Sequence, residues 1–458
     1  MRMALEAERL IGTTESLCPR CLARIPAAKV AVAGDVYLKK CCPRHGEFRT
    51  IIWRGLPGYE AWADAKLPSP PPLAHTAADH GCPFDCGLCP GHRQHSCCVL
   101  LEVTGRCNLR CPLCFAAAGE GDEPSAGEIE AWYRLLLASG GPYNIQLSGG
   151  EPTLRDDLPE IVARGRALGF SFIQLNTNGL RLATDGPYLR RLKEAGLGCV
   201  FLQFDGTDDR IYRQIRGQPL LAAKTAAIDR CAEAGLGVVL VPTLVPAVNT
   251  ADIGNIIDFA LARLPAVRGV HFQPVSYFGR YPAEPADADR ITIPEVLRAI
   301  EEQTAGKMKT ADFHPPGAEN AHCSFSGNFL LTAGGEVKTL ARTGPVDGCC
   351  QPRTAADGAR KARAFVARRW SAPAAAQPVT PPAADGINID SLTAFLARAE
   401  EYSLCVSGMA FQDAWNLDLE RLRDCFIHVA APGGRIIPFC AYNLTAADGK
   451  PLYRPQGD

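Results

Sequence analysis

The chain has 458 residues, 47% hydrophobic and 21% charged, with a formal net charge of −1. That length allows a large core and more than one domain, and a near-neutral chain without long like-charge blocks excludes an electrostatic nucleic-acid footprint. Twenty cysteines, with Glu6 and Glu8 standing where a secretory leader would be apolar, argue for metal and cluster chemistry in a reducing cytoplasm. No apolar run approaches the roughly 18 residues that span a bilayer.

Residues 1–75 read as a small metal-binding ribbon. Cys18-Pro-Arg-Cys21 and Cys41-Cys42-Pro-Arg-His45-Gly flank two strand-like runs, Val30–Val32 and Val36–Leu38. The candidate ligands are Cys18, Cys21, Cys41 or Cys42, and His45, and either zinc or one rubredoxin-like iron fits them. The metal would fold a segment too small for its own core. Lys66–Leu73 is a proline-rich linker. Residues 76–98 carry Cys82, Cys86 and Cys89 at C-x3-C-x2-C spacing. Cys97 and Cys98 follow, so Cys98 is expected as a fourth thiolate of a closed, electron-relaying Fe–S cluster, with a second zinc site as the alternative.

Residues 99–282 alternate strand-like and helix-like segments, the pattern of a parallel sheet covered by helices. Strands are expected at Val99–Val103, Tyr143–Leu147, Phe170–Leu175, Cys199–Phe204, Val238–Val245 and Val270–Val275. Helices are expected at Glu128–Ala138, Asp157–Leu168, Pro187–Glu194, Ala222–Ala234 and Asp252–Leu264. The first strand leads into Cys107-Asn-Leu-Arg-Cys111-Pro-Leu-Cys114. Three such thiolates hold three irons of a 4Fe–4S cube and leave the fourth open to a small molecule. Later strand ends carry Ser148-Gly149-Gly150-Glu151-Pro152, Asn176-Thr177-Asn178-Gly179, Gln203-Phe-Asp205-Gly206 and Phe272-Gln273-Pro274. Paired glycines let the backbone approach a ligand closely, and Glu151 can accept from an ammonium group. Asn176 and Asn178 could meet a ribose or carboxylate, and Asp205 ribose hydroxyls or substrate. Cys199 and Cys231 are isolated and read as buried free thiols.

These motifs resemble the radical S-adenosylmethionine (SAM) superfamily. The resemblance implies an α/β fold, a partial (β/α)6 barrel whose chemistry sits at the C-terminal strand ends. It implies a catalytic cluster on Cys107, Cys111 and Cys114 with SAM on its open iron, cleaved by one electron to a 5′-deoxyadenosyl radical. Gly149, Gly150 and Glu151 would hold the SAM amino group, and Leu113 takes a position near adenine that is often aromatic in the family. A flavodoxin or ferredoxin would donate the electron.

Residues 283–458 form the C-terminal region. Ala356–Arg369 reads as a basic amphipathic helix with Phe365, Val366 and Trp370 on one side. It can rest on an anionic membrane surface at the inner face, or pack on its own domain. Cys323, Cys405, Cys425 and Cys440 could ligate a further 4Fe–4S cluster, with Cys349 or Cys350 as substitutes. The N-terminal cysteine groups, the doubled C-x3-C-x2-C and the tail Cys425-Phe-Ile-His428…Gly434-Arg-Ile-Ile-Pro-Phe-Cys440-Ala-Tyr-Asn443 resemble the archaeal tetraether lipid synthases and their bacterial relatives, first described as methanopterin-type dimethyltransferases. That resemblance implies one or two auxiliary clusters besides the SAM cluster and the mononuclear metal. It also implies hydrogen abstraction from an unactivated lipid methyl and coupling of two chain ends. A radical methyltransferase acting on a pterin, a peptide-modifying maturase and a non-catalytic cluster protein are the alternatives. A lipid substrate predicts a long apolar channel, and a pterin a polar pocket with aromatic stacking.

Overall fold

The computed structural model describes residues 8–63, 66–121, 123–340, 354–372 and 389–455. The N-terminal ribbon is a four-stranded antiparallel meander of β1 (Arg9–Leu17), β2 (Arg24–Val32), β3 (Asp35–Cys42) and β4 (Gly46–Trp53).

Six parallel strands follow the expected pattern closely. They are β5 (Cys98–Thr104), β6 (Asn144–Gly149), β7 (Ile173–Thr177), β8 (Cys199–Gln203), β9 (Gly237–Val241) and, past the two-residue β10 (Thr243–Leu244), β11 (Val267–Pro274). Pro242 separates β9 from β10, since proline cannot donate to the ladder. Helices α1 (Ala126–Ala138), α2 (Leu158–Ala167), α3 (Gly186–Glu194), α4 (Asp209–Arg216), α5 (Leu221–Glu233) and α6 (Ile253–Leu261) cover the sheet. Ser125 starts α1 with a reciprocal capping box to Glu128. Leu101, Ile145, Leu147, Leu175, Val200 and Val238 are fully buried beneath the helices. Short polar α4 was not expected from the pattern, because its apolar stripe is only Ile211, Tyr212 and Ile215.

The chain beyond Pro282 contributes to both edges of this same sheet. After α7 (Ile293–Gln303) come β12 (Ser324–Leu331) and β13 (Val337–Thr339), then α8 (Ala355–Trp370) and α9 (Ile389–Glu401). Strand β14 (Ser403–Met409) pairs parallel with β11, and β12 pairs antiparallel with β14. After α10 (Leu419–Arg423), β15 (Ile427–Ala431) pairs parallel with β5 and carries β16 (Arg435–Pro438) on its outer side. The six barrel strands are thus flanked by two further parallel strands from the C-terminal third. No described helix is long and apolar enough to cross a membrane.

The amphipathic helix α8 lies across the N-terminal end of the barrel. Asn144 donates to the Arg363 carbonyl, Arg363 to the Ser96 carbonyl and Arg268 to the Arg369 carbonyl. Trp370 packs on Phe201, ring centres 5.2 Å apart, and is 9% exposed. Its apolar side therefore faces the barrel and not a membrane. Cys349 and Cys350 lie outside the described residues.

Candidate active site

Cys107, Cys111 and Cys114 sit on the loop leaving β5, half-buried to buried. The loop is held from both sides. Cys107 N–H donates to Gly119 O, and Cys114 exchanges two backbone bonds of 3.0 Å with Arg280, which follows β11. The Arg280 guanidinium also donates to the carbonyls of Cys111 (2.9 Å) and Ala118 (3.2 Å). Burial pushes the Cys107 thiol up to about 11. A thiolate there needs a compensating metal charge, so the donor set fits a cluster. Leu109 N–H donates to Cys107 Sγ at 3.4 Å, and the Arg216 guanidinium lies against Cys111, both suited to charged sulfur.

The glycine pair after β6 has a physical role different from the expected one. A Cβ on Gly149 would fall 2.2 Å from Thr104 O, and one on Gly150 2.1 Å from Arg106 O. Gly150 and Glu151 N–H groups donate to those same carbonyls at 2.8 Å. The close approach is to the cysteine loop's own backbone, which the glycines zip onto β6. Glu151 is 1% exposed yet lines the cavity. Its Oε1 accepts from Thr153 N–H (3.1 Å) and from the hydroxyls of Thr153 and Thr177 (2.6 Å each), and Oε2 accepts from Asn178 N–H at 2.7 Å. This fixes the carboxylate and leaves Oε2 spare lone-pair capacity for an ammonium group.

Asn178 donates to Asn108 Oδ1 (2.7 Å) and accepts from Leu180 N–H, tying the third strand end to the cysteine loop. Asp205 needs correction. Its carboxylate is fully buried and paired through both oxygens with Arg216 at 2.7 and 2.8 Å, and Oδ1 also accepts from Thr243 N–H. It is therefore committed to Arg216 and not free for ribose hydroxyls. Arg216 in turn reaches Leu113 O at 3.5 Å, so the pair buttresses the cysteine loop. Neither Arg216 nor Arg280 had a sequence signal, because each meets the loop only through tertiary folding. Lys224 is likewise fully buried, donating to Asn178 O (2.5 Å) and Gln203 Oε1 (3.2 Å).

Below this rim a cavity of about 990 Å³ runs from Cys107 and Cys114 down the barrel to α8. Neighbouring strands β6, β7 and β8 place Gln146, Asn176 and Gln203 in it, and β11 adds Gln273. Gln146 donates to Asn176 Oδ1 at 2.6 Å, which leaves the Asn176 amide N–H₂ spare. The carboxamides of Gln174 and Gln273 have no partner among the described residues. At the floor, His271 meets Ser407 Oγ at 2.9 Å and lies 5.5 Å from Phe201 and 6.1 Å from Trp370, ring centre to ring centre. Burial lowers His271 to about 4, so it is neutral at physiological pH.

The other cysteines separate into groups. In the ribbon, Cys18, Cys21, Cys42 and the His45 ring bring their ligand atoms within 4.8 Å of one another, as one ion needs. Cys41 is exposed on the opposite face. Cys82, Cys89 and Cys425 all lie near enough to Cys86 to raise its thiol, together with its burial. Cys425 is also within reach of Cys440 and Cys323. Cys98, expected as the fourth ligand beside Cys89, instead starts β5 and points into the barrel, 3.6 Å from Gln146 Oε1. Cys405 is likewise corrected. It lies on β14 opposite Asn328, whereas Cys323 lies beside Ala410, about 17 Å farther along the strand. Cys199 and Cys231 are buried, as expected of structural thiols.

A profile of the Radical SAM superfamily matches residues 101–260, and one of the HMPTM N-terminal zinc ribbon domain matches residues 10–54. The 7,8-dihydro-6-hydroxymethylpterin dimethyltransferase of Methanocaldococcus jannaschii is 36% identical over 470 residues, 94% of this chain and 93% of that protein. A probable GTP 3′,8-cyclase of Methanopyrus kandleri is 32% identical over 221 residues, 47% of this chain and 67% of its own. Among solved structures, Streptococcus suis SuiB bound to precursor peptide SuiA aligns at 16% identity with a TM-score of 0.38, covering 47% of this chain and 46% of that one. The chain belongs to the radical SAM superfamily, and within it to the family of the 7,8-dihydro-6-hydroxymethylpterin dimethyltransferase.

Proposed function

We propose that this enzyme acts on a flat, hydrogen-bonding heterocycle of the reduced-pterin class and replaces a carbon-bound hydrogen by methyl from a second SAM. The hydrogen leaves in 5′-deoxyadenosine, the donor leaves as S-adenosylhomocysteine, and the reductant supplies two electrons. The observation that carries the reading is the cavity lining: carboxamides from neighbouring strands, several with spare donors and acceptors, above an aromatic floor of Phe201, His271 and Trp370. A pterin edge presents alternating donors and acceptors, which carboxamides match, and its face stacks on aromatic rings. The relative's name points to the same substrate class. When bound, the cluster on Cys107, Cys111 and Cys114 supplies the electron that cleaves SAM and generates the hydrogen-abstracting radical.

The residues of this chain orient and exclude. Glu151 receives the SAM ammonium, held in place by Thr153, Thr177 and Asn178. Arg216 and Arg280 fix the cysteine loop, and the neutral His271 presents a hydrogen-bonding ring without a charge. Helix α8 lines the far end of the cavity. We further propose zinc in the ribbon, and auxiliary iron–sulfur groups on Cys82, Cys86 and Cys89 and on Cys323, Cys425 and Cys440. Sulfur–donor contacts support the second group: Gln412 N–H lies 3.3 Å from Cys440 Sγ and Arg421 lies 3.4 Å from Cys323 Sγ.

Coupling of acyl chain ends is the second reading. It is favoured by the aromatic cluster of Phe115, Phe278, Phe411 and Phe439 beside the cysteine loop, where Phe411 and Phe439 are 4.4 Å apart. The deciding experiment incubates reconstituted enzyme anaerobically with SAM, dithionite and either 7,8-dihydro-6-hydroxymethylpterin or a lipid extract, followed by mass spectrometry. Deoxyadenosine with one or two methyl groups gained by the pterin supports the first reading. Deoxyadenosine with an unchanged pterin and a lipid product that has lost two hydrogens replaces it with the second.

A further inference from the structure

The ribbon does more than fold itself. Among the described residues, the apolar cluster at its knuckle is small, Cys18, Ile25 and Cys42 with Cys21 and Phe48 packed alongside, so a bound metal would hold the knuckle's shape. Lys40 and Cys42 share the buried face of β3. Lys40 is 4% exposed, and its ammonium donates to Ser16 Oγ (3.0 Å), Leu17 O (2.7 Å) and Ala414 O (2.7 Å). The first two acceptors immediately precede Cys18, and the third lies more than 370 residues away in the loop after β14. Parallel contacts grip the same loop. Ser16 Oγ donates to Leu417 O at 2.6 Å, and Thr14 and Lys29 donate to the two oxygens of Asp418 at 2.6 and 3.0 Å.

That loop is the support of two auxiliary cysteines. Gln412 N–H reaches Cys440 Sγ, and the Gln412 side chain is fixed by Asp418 N–H at 2.8 Å. Ala410 N–H donates to Cys323 O at 2.8 Å, and Arg421 bonds both Ala410 O and Cys323 Sγ. Asp413, fully buried, pairs with Arg290 at 2.9 and 3.0 Å and accepts from Tyr277 N–H, which anchors the loop's far side. One residue, Asp413, separates the Lys40 contact at Ala414 from the sulfur contact at Gln412.

We propose that the metal-bound ribbon is the clamp that sets the geometry of Cys440 and Cys323, with Lys40 as the positioning residue that transmits it. The proposal rests on the reading that Cys323, Cys425 and Cys440 hold an iron–sulfur group. Removing the Lys40 ammonium leaves three buried acceptors without a donor and releases the loop on the ribbon side. Partners one shell outside a metal's ligands typically control affinity by about tenfold or more.

The test uses the full chain with Cys107, Cys111 and Cys114 all replaced by Ala, so that the iron remaining is auxiliary. Zinc and iron per chain are measured after anaerobic reconstitution, with the dithionite-reduced EPR spectrum and the rate of iron loss to a chelator. Lys40→Met is expected to keep zinc, lose iron to the chelator roughly tenfold faster and shift the EPR signal, with Lys40→Arg restoring part of both. Cys21→Ser, which removes the ribbon metal, should reproduce the iron phenotype. Should Lys40→Met fold poorly, Thr14→Val tests the same clamp through faster hydrogen exchange across residues 410–418 with zinc still bound. Unchanged iron retention and EPR in Lys40→Met, or unchanged exchange in Thr14→Val, overturns the clamp. Absence of iron from the parental triple variant, apart from Cys82, Cys86 and Cys89 occupancy, overturns the auxiliary-cluster reading and the clamp with it.

Discussion

The rim of the barrel and its lumen use polar side chains in opposite ways. At the rim, Glu151, Asn178, Asp205, Arg216 and Arg280 spend most of their hydrogen-bonding capacity on one another, on adjacent strand ends and on the cysteine loop. In the lumen, Gln174, Gln273 and the Asn176 amide keep theirs. Buried polar groups are ordinarily satisfied within the protein. Apart from Glu151, whose Oε2 keeps a spare acceptor, the saturated rim is therefore scaffold, and the unsaturated lumen marks where a ligand completes the bonding.

Four substitutions would break or sharpen that contrast. The largest effect belongs to Gly150→Ala, because its Cβ would overlap Arg106 O. It should lose cluster iron and at least about a hundredfold of deoxyadenosine formation, read by iron analysis and chromatography. Asp205→Asn comes next. It leaves the buried Arg216 charge uncompensated and should cost about 3–5 kcal/mol in a urea titration. If it instead left stability intact and weakened only SAM binding, Asp205 would be a ligand residue after all.

A pH test addresses the rim's buried cation. Burial brings the Lys224 ammonium down to about 8. Between that value and the ordinary lysine value the unfolded chain holds the proton and the native chain does not, so stability rises with pH across this window. Wild type should gain up to about 3 kcal/mol on Lys224→Met between pH 7 and pH 10.5, measured by urea midpoints. The smallest effect is in the lumen. Gln273→Leu should lower methylated product by about tenfold while deoxyadenosine yield falls much less, because it removes a substrate bond and not a rim contact.

Much of this division was legible beforehand. The C-x3-C-x2-C spacing, the six strands and the Gly149-Gly150-Glu151 turn are local patterns, and they fall where periodicity and turn chemistry put them. The rest depends on chain segments far apart in sequence. Asp205 looked available because its partner sits eleven residues on, in a helix too polar to be recognised. Cys98 sits near Cys89 in sequence, but strand alternation turns its side chain into the barrel. Cys405 lies on β14 and Cys323 just before its partner strand β12, at heights that only the register reveals. Helix α8 carried an amphipathic signal that a membrane or a barrel floor would satisfy equally, and the parallel strands beside β5 and β11 arrive from the C-terminal third.

That last feature sets a timetable for biosynthesis. Strand β5 leaves the ribosome early, and its outer neighbour β15 begins only at Ile427. At about 5–20 residues per second, the first barrel strand waits on the order of half a minute with an open edge. An unpaired edge is a template for wrong partners, and the cysteine loop that extends from it lacks its bonds to Cys111 O and Cys114 until Arg280 emerges. Iron loading is therefore a late event in the life of this chain, and a nascent-chain chaperone or a low translation temperature should raise the yield of loadable protein more than extra iron would.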